Sequence, residues 1–170
     1  MKKILILLAS LTFPFLPHAQ TDNFYVENGE LIWRSVFSYD SEIDIIEQNL
    51  RASGYFFDFY RHDNVLTAEL RDLKMDYSGA GQKRMSLPTY IPNDYFYGFV
   101  TIEVKSDRYR VTVKRLNGRD DKLGKTIVDN IALTDSGELS DKFVGASSSV
   151  FDYTFTKIFS KIHEKNDDEW

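Results

Sequence analysis

The sequence has no cysteine and only three histidines in 170 residues. Without a thiol there is no disulfide, thiolate metal site, sulfur nucleophile or Cys-linked lipid. Three histidines leave little material for a His-built metal or catalytic cluster. The HExxH, GxSxG and EF-hand spacings are also missing, and so is any Asn-x-Ser/Thr sequon. There is no internal repeat and no low-complexity segment. Past residue 20 no apolar run approaches the about 20 residues that a membrane helix needs. What remains is ample for a folded domain. Apolar residues make up 42% of the chain and aromatics 15%, which excludes disorder of the whole chain. The length suits one domain, and a chain of this size buries roughly 70% of its unfolded surface without staples.

Met1-Lys2-Lys3, the apolar stretch Ile4–Phe13, Pro14 and Pro17, then His18-Ala19-Gln20 have the layout of a secretory signal peptide cut after Ala19. Residues 1–19 are therefore expected to be removed, residues 20–165 to form a single domain and 166–170 a frayed tail. Loss of Lys2 and Lys3 takes the formal net charge from −5 to −7. Export to the periplasm or beyond is the expectation, with no integral membrane segment once the signal is gone.

Asn28-Gly29 between Phe24-Tyr25-Val26 and Leu31-Ile32-Trp33 predicts a hairpin, because both central residues of a type I′ turn need positive φ. Ile43, Ile46 and Leu50 recur at helical spacing, which predicts a helix over 41–53, capped by Ser41 and stopped at Gly54. An aromatic strand follows at Tyr55–Tyr60. Leu66, Ala68 and Leu70 alternate, and so do Leu73, Met75 and Tyr77, with the phase slipped by one residue. That slip requires a bulge near Arg71-Asp72 and a curved sheet. Residues 78–94 read as a long loop with a short extended piece at Thr89–Ile91.

Phe99–Leu116 is a second hairpin. With a two-residue turn at Ser106-Asp107, Val104, Ile102 and Val100 face Tyr109, Val111 and Val113 on one side. Glu103 faces Arg110 and Thr101 faces Thr112 on the other, pairs worth about 0.2–1 kcal/mol each. Thr126–Leu133 reads as a final edge strand. Phe151, Phe155, Ile158 and Ile162 form the stripe of a last helix over 147–165, with Asp152 near its start and Lys157, Lys161 and Lys165 toward its end. Strands, a helix, antiparallel strands and a long helix define an α+β class: one curved antiparallel sheet with two helices on one face, in β-α-β-β-β-β-α order.

Three segments carry a resemblance. They are Asn28-Gly29-Glu30-Leu31-Ile32-Trp33 with Val36-Phe37, then Leu70 with Asp72-Leu73-Lys74, Asp76-Tyr77 and Lys83-Arg84-Met85-Ser86, and Val104-Lys105 with Arg108-Tyr109-Arg110-Val111-Thr112-Val113. Together, across roughly residues 24–160, the chain resembles a family of exported Bacteroidetes domains of unknown function with a TBP-like fold. The family often has Asp-Gly where Ser106-Asp107 stands. The resemblance implies the curved sheet and two helices of a single TBP repeat and implies no activity. It does not imply DNA binding: a fold does not fix a function, and minor-groove binding needs a basic face with apolar wedges. No nucleic-acid partner is expected of an exported acidic chain.

Gly118 and Gly124-Lys125-Thr126 approximate a phosphate loop, but five residues intervene and Arg119 stands where the first glycine belongs, so a structural loop is the better reading. Asp40, Glu42, Asp44 and Glu47 favour the positive end of the first helix rather than acid–base chemistry. Asp58, His62 and Asp63 suit turns. Lys105, Arg108, Arg110 and Lys114 line the solvent side of the second hairpin, with Lys83, Arg84, Arg115 and Arg119 as candidate neighbours, and form either a basic contact patch or an ordinary charged face. The aromatics at 55–60 and at Tyr90, Tyr95, Phe96 and Tyr97 outnumber what one side of a sheet can bury, so some belong to a contact surface or groove, or else to a large aromatic core.

The expectation is thus a non-enzymatic binding domain without cofactor or metal. Its partner is a protein, peptide or cell-envelope component, and its contact surface includes Tyr90, Tyr95, Tyr97, Arg108, Arg110 and Lys114. The alternative is a carrier holding a small apolar ligand between the sheet and the last helix. A carboxylate-based hydrolase is the third reading.

Overall fold

A computed structural model describes residues 23–38, 42–120 and 124–164. The expected signal peptide, Asp40, the Ser41 cap and the C-terminal tail lie outside these residues.

Strand β1 (Phe24–Glu27) and strand β2 (Glu30–Ser38) form the first hairpin. Asn28 and Gly29 adopt φ of 54° and 77°, as a type I′ turn requires. Helix α1 (Ile43–Ser53) follows, and Gly54 closes it in the left-handed region. Strands β3 (Phe56–His62) and β4 (Val65–Leu73) form the next hairpin. The 78–94 segment is helical rather than extended: a 3₁₀ turn at Arg84–Ser86 and a single turn α2 (Tyr90–Asn93) replace the expected extended piece at Thr89–Ile91. Asp94 N bonds to Tyr90 O at 2.9 Å and closes that turn.

Strands β5 (Tyr95–Val104) and β6 (Arg108–Asp120) pair in the expected register, Val104 with Tyr109 through Val100 with Val113. The expected edge strand at 126–133 divides into β7 (Gly124–Ile127) and one helical turn α3 (Asp129–Ala132). Asp129 explains the break. Its Oδ1 accepts a 3.2 Å bond from Leu31 N, which ties the segment to β2 and ends its run along β6. Helix α4 (Ala146–Phe159) is the last element, shorter than expected because turns take over at residue 160.

The sheet runs β1-β2-β6-β5-β4-β3, entirely antiparallel, with β7 pairing the second half of β6. Among the described residues three bulges interrupt it, at Asp58, Asp72 and Arg115, each a non-glycine residue with positive φ. The Asp72 bulge lies where the slipped alternation places it. Each bulge resets which side chains face which way and adds twist. In β3 the extra residue puts Phe56 and Phe59 toward the core and leaves Phe57 and Tyr60 outside.

Helices α1 and α4 contribute to one core on one side of the sheet. Ile46 and Leu50 of α1 and Val150, Phe151, Phe155 and Phe159 of α4 share it with Trp33, Phe56, Phe96 and Tyr109. Trp33 lies 5.2 Å from Phe155 and 5.8 Å from Phe159 between ring centroids, and its Nε1 donates to Asp152 Oδ1 at 2.8 Å. Asp152 therefore anchors α4 to β2 instead of complementing a helix end. Asn23 Nδ2 donates to the same oxygen at 2.6 Å. The Tyr109 hydroxyl donates to the Phe159 carbonyl, which ties β6 to the last turn of α4.

Candidate functional site

The other side of the sheet carries no helix among the described residues. Directly paired residues share a face, so the register shows its surface as rows that cross the strands. One row is Val36, Arg110, Glu103 and Val65. The next is Arg34, Thr112, Thr101, Thr67 and Tyr60. A third runs Tyr25, Ile32, Lys114, Phe99, Glu69 and Phe57. Beyond the Arg115 bulge the face continues with Asn117 beside Tyr97 and Arg119 beside Tyr95. Val36 is 57% exposed and Tyr60 66%, with Tyr25, Phe57 and Tyr95 also exposed.

Cations of the chain itself partly cover these aromatics. Lys74 Nζ sits 3.8 Å from the centre of the Tyr95 ring, Arg71 5.2 Å from Phe57, Lys114 5.6 Å from Phe99 and Arg34 5.8 Å from Tyr25. Such pairs are worth about 0.5–1 kcal/mol when exposed, and they hold flat rings beside fixed positive charge. Carboxylates balance part of that charge. Arg110 makes a two-pronged bond to Glu103, 2.8 Å to each oxygen, as the hairpin register predicts. Arg34 holds Glu27 in the same way, which lowers the Glu27 pKa, and Arg71 holds Asp58 and Glu69.

Two depressions open on this face. One, of about 330 Å³, lies at the β5–β6 turn and is lined by Val36, Glu103, Lys105, Arg108 and Arg110. The other, of about 440 Å³, lies where β7 joins β6 and is lined by Tyr97, Asn117, Gly118, Arg119, Gly124 and Lys125. The sequence-predicted residues divide accordingly. Arg108 and Arg110 line the first depression, Tyr97 lines the second, Tyr95 stands beside Arg119, and Lys114 lies between the two. Tyr90 does not belong to this surface. It is 8% exposed, and its hydroxyl donates to Ser147 Oγ at 3.1 Å, because α2 turns its ring into the core. Of the expected neighbours, Arg119 joins the face, whereas Arg84 bonds to Asn93 Oδ1 and Arg115 stands at its bulge 3.7 Å from Glu30.

The acidic candidates resolve into pairs. Asp44 bonds Arg61, Glu47 bonds Arg51 at 2.6 Å, and Asp63 lies 3.3 Å from His62. Among the described residues, no three His, Asp or Glu side chains gather as a metal-binding group. No described helix is long and apolar enough to cross a membrane.

Asp94, unremarkable in the sequence beside Pro92 and Asn93, is 1% exposed, and its Oδ2 has no hydrogen-bond partner among the described residues. Burial pushes its pKa up against the opposing effect of a bond with Thr126, and the nearby Asp120 adds to the rise. A carboxyl that is harder to ionise in the fold than in the open chain stabilises the fold below its unfolded pKa. That contribution is lost as pH rises through the folded value. Asp94→Asn removes the titration, so the variant should gain stability relative to the parent as pH is raised from about 4 to 7. Urea unfolding at the two pH values measures this, and a difference that does not change with pH counts against it.

A single antiparallel sheet with its helices on one side and the other side bare is the TBP-like α+β architecture, as the sequence motifs implied. Two solved structures share it. A TBP-like protein from Parabacteroides distasonis superposes with a TM-score of 0.52 over 84% of this chain and 98% of its own, at 9% identity. A DUF4468 family protein from Bacteroides ovatus gives 0.54 over 88% and 95%, also at 9% identity. At that identity the likeness is one of fold. No family model and no curated protein matches the chain.

Proposed function

We propose that the chain is an exported, non-enzymatic binding domain whose bare sheet face contacts a protein, peptide or cell-envelope component. The observation that carries this is the face itself. Large apolar side chains stand exposed on it, Tyr25, Val36, Phe57, Tyr60 and Tyr95 among them at 39–66%, whereas the opposite face buries Phe24, Trp33, Phe56, Phe96 and Tyr109. Large exposed groups gathered on one face mark contact surfaces. The carrier alternative has little support, because Trp33, Phe96, Phe143, Phe151, Phe155 and Phe159 fill the space between sheet and α4. Both depressions described above open on the other side.

The test is affinity capture from envelope extract with the tagged chain, comparing Val36→Ser/Tyr60→Ser with Lys161→Gln on the helix side. Partners held by the parent should be lost from the first variant and kept by the second. An unchanged set with both variants removes the face from consideration.

A further inference from the structure

Strand β6 carries positive charge along the whole bare face. Arg108, Arg110 and Lys114 project from alternate positions, Arg119 resumes the phase after the bulge, and Lys105 and Lys125 stand at the two ends. The stripe joins the two depressions over a span of roughly 35 Å at strand rise. It is an exception within its own chain, which has 26 acidic against 21 basic residues. Charge concentrated against the overall balance steers ligands of the opposite sign.

Much of this charge is available. Arg110 is committed to Glu103, and Arg108 has only a loose 3.5 Å contact with Asp107 beside it. Lys105, Arg119 and Lys125 have no ion-pair partner among the described residues. The spacing is informative as well. Side chains at alternate positions of a strand repeat every roughly 6.8 Å, and alternate side chains of an extended peptide repeat at the same interval. An extended peptide with an acidic residue at every second position therefore brings one carboxylate opposite Arg108 and another, three repeats on, opposite Lys114, with Arg110 held by Glu103 and Thr112 between them. Thr112, Thr101 and Asn117 lie on the same face and offer neutral donors and acceptors to its backbone.

We infer that the β6 stripe is a docking track for an extended acidic peptide segment of a partner protein, with carboxylates seated in the two terminal depressions. This rests on the bare face being the contact surface and specifies what occupies it.

The probe is a fluorescein-labelled peptide of five Glu-Thr repeats, followed by anisotropy with the full chain. Binding should weaken about tenfold or more in Arg108→Gln/Arg119→Gln, and by a similar factor when salt is raised from about 50 to 300 mM. A Gln-Thr peptide should not bind. A block peptide of five Glu followed by five Thr should bind about threefold or more weakly than the alternating one, since only alternation matches the strand repeat. Both arginines are exposed, and circular dichroism checks that the variant stays folded. Equal binding of block and alternating peptides overturns the inference, as does binding indifferent to the two arginines. Stripe-dependent binding of a sulfated polysaccharide with none of the peptide also overturns it. If the peptide fails while Val36→Ser/Tyr60→Ser still abolishes capture, the acidic track falls and the contact face stands. If both fail, both readings fall.

Discussion

Trp33→Ala should destabilise the fold by about 3–5 kcal/mol, the range for removing a large buried aromatic whose site cannot collapse. Three observations place it at the severe end. Trp33 is fully buried on β2 beneath α4, and its neighbours Phe155 and Phe159 belong to a helix tied to the sheet at Asp152 and at the Phe159 carbonyl. Its Nε1 also supplies one of the two hydrogen bonds to Asp152 Oδ1, the other coming from Asn23. Alanine therefore opens a cavity and strips a partner from a carboxylate that links α4 to the first hairpin. Trp33→Phe separates the two effects. It keeps one six-membered ring but loses the donor and the indole's second ring, and the lost hydrogen bond should cost about 1–2 kcal/mol in addition to the poorer packing. Urea denaturation of both variants gives the comparison. A loss below about 1 kcal/mol for alanine would mean that the α4 interface relaxes freely, contrary to the close packing of its rings.

The parts of this architecture legible in the sequence are those written in local patterns. Asn28-Gly29 specifies its turn by backbone chemistry. The Ser106-Asp107 register satisfies both faces of β5 and β6 at once. The broken alternation between Leu70 and Leu73 locates the Asp72 bulge, where the Tyr97 hydroxyl donates to the Asp72 carboxylate. Contacts between distant segments were not legible. Nothing in Arg34–Ser38 says that β2 will lie against Arg108–Thr112, or that Asp152 will accept from an indole 119 residues earlier. The candidate site shows the same division. Arg110 with Glu103 follows from the hairpin, and so does the basic side of its first half. The second half of the stripe was hidden because Asn117–Asp120 reads as a polar, turn-rich stretch. It remains strand because β5 and β7 pair with it from both sides, and the bulge at Arg115 restores the outward phase of Asn117 and Arg119. Tyr90 was misplaced for a related reason: an aromatic in a long loop reads as exposed until α2 turns it inward.

Gly118→Ala should destabilise the chain by about 1–3 kcal/mol through overpacking, and the effect should depend on Asp94. A Cβ built on Gly118 would stand 2.3 Å from Asp94 Oδ2 and 3.0 Å from both its Cβ and Cγ. Asp94 has no room to retreat, because it is almost wholly buried and closes the α2 turn with its own backbone N–H. The glycine is thus required by the neighbour across the strand pair and not by a phosphate, which removes the last reason to read Gly118 to Thr126 as a nucleotide loop. Asp94→Ala relieves the contacts with Oδ2 and Cγ, loses the bond with Thr126, and removes a carboxyl whose ionisation burial opposes. The double variant should therefore be more stable than the sum of the single changes predicts, by about 1–2 kcal/mol, as expected of residues in direct contact. Asp94→Ala should itself gain stability relative to the parent from pH 4 to pH 7, because the parent carries an increasing cost of ionising Asp94 across that interval. The coupling should stay constant, because the parent and Gly118→Ala share that cost and it cancels from the cycle. A thermodynamic cycle in urea at both pH values measures the coupling. Strict additivity would show that Gly118 is free to accept a side chain and that the packing of β6 against Asp94 does not set this corner of the sheet.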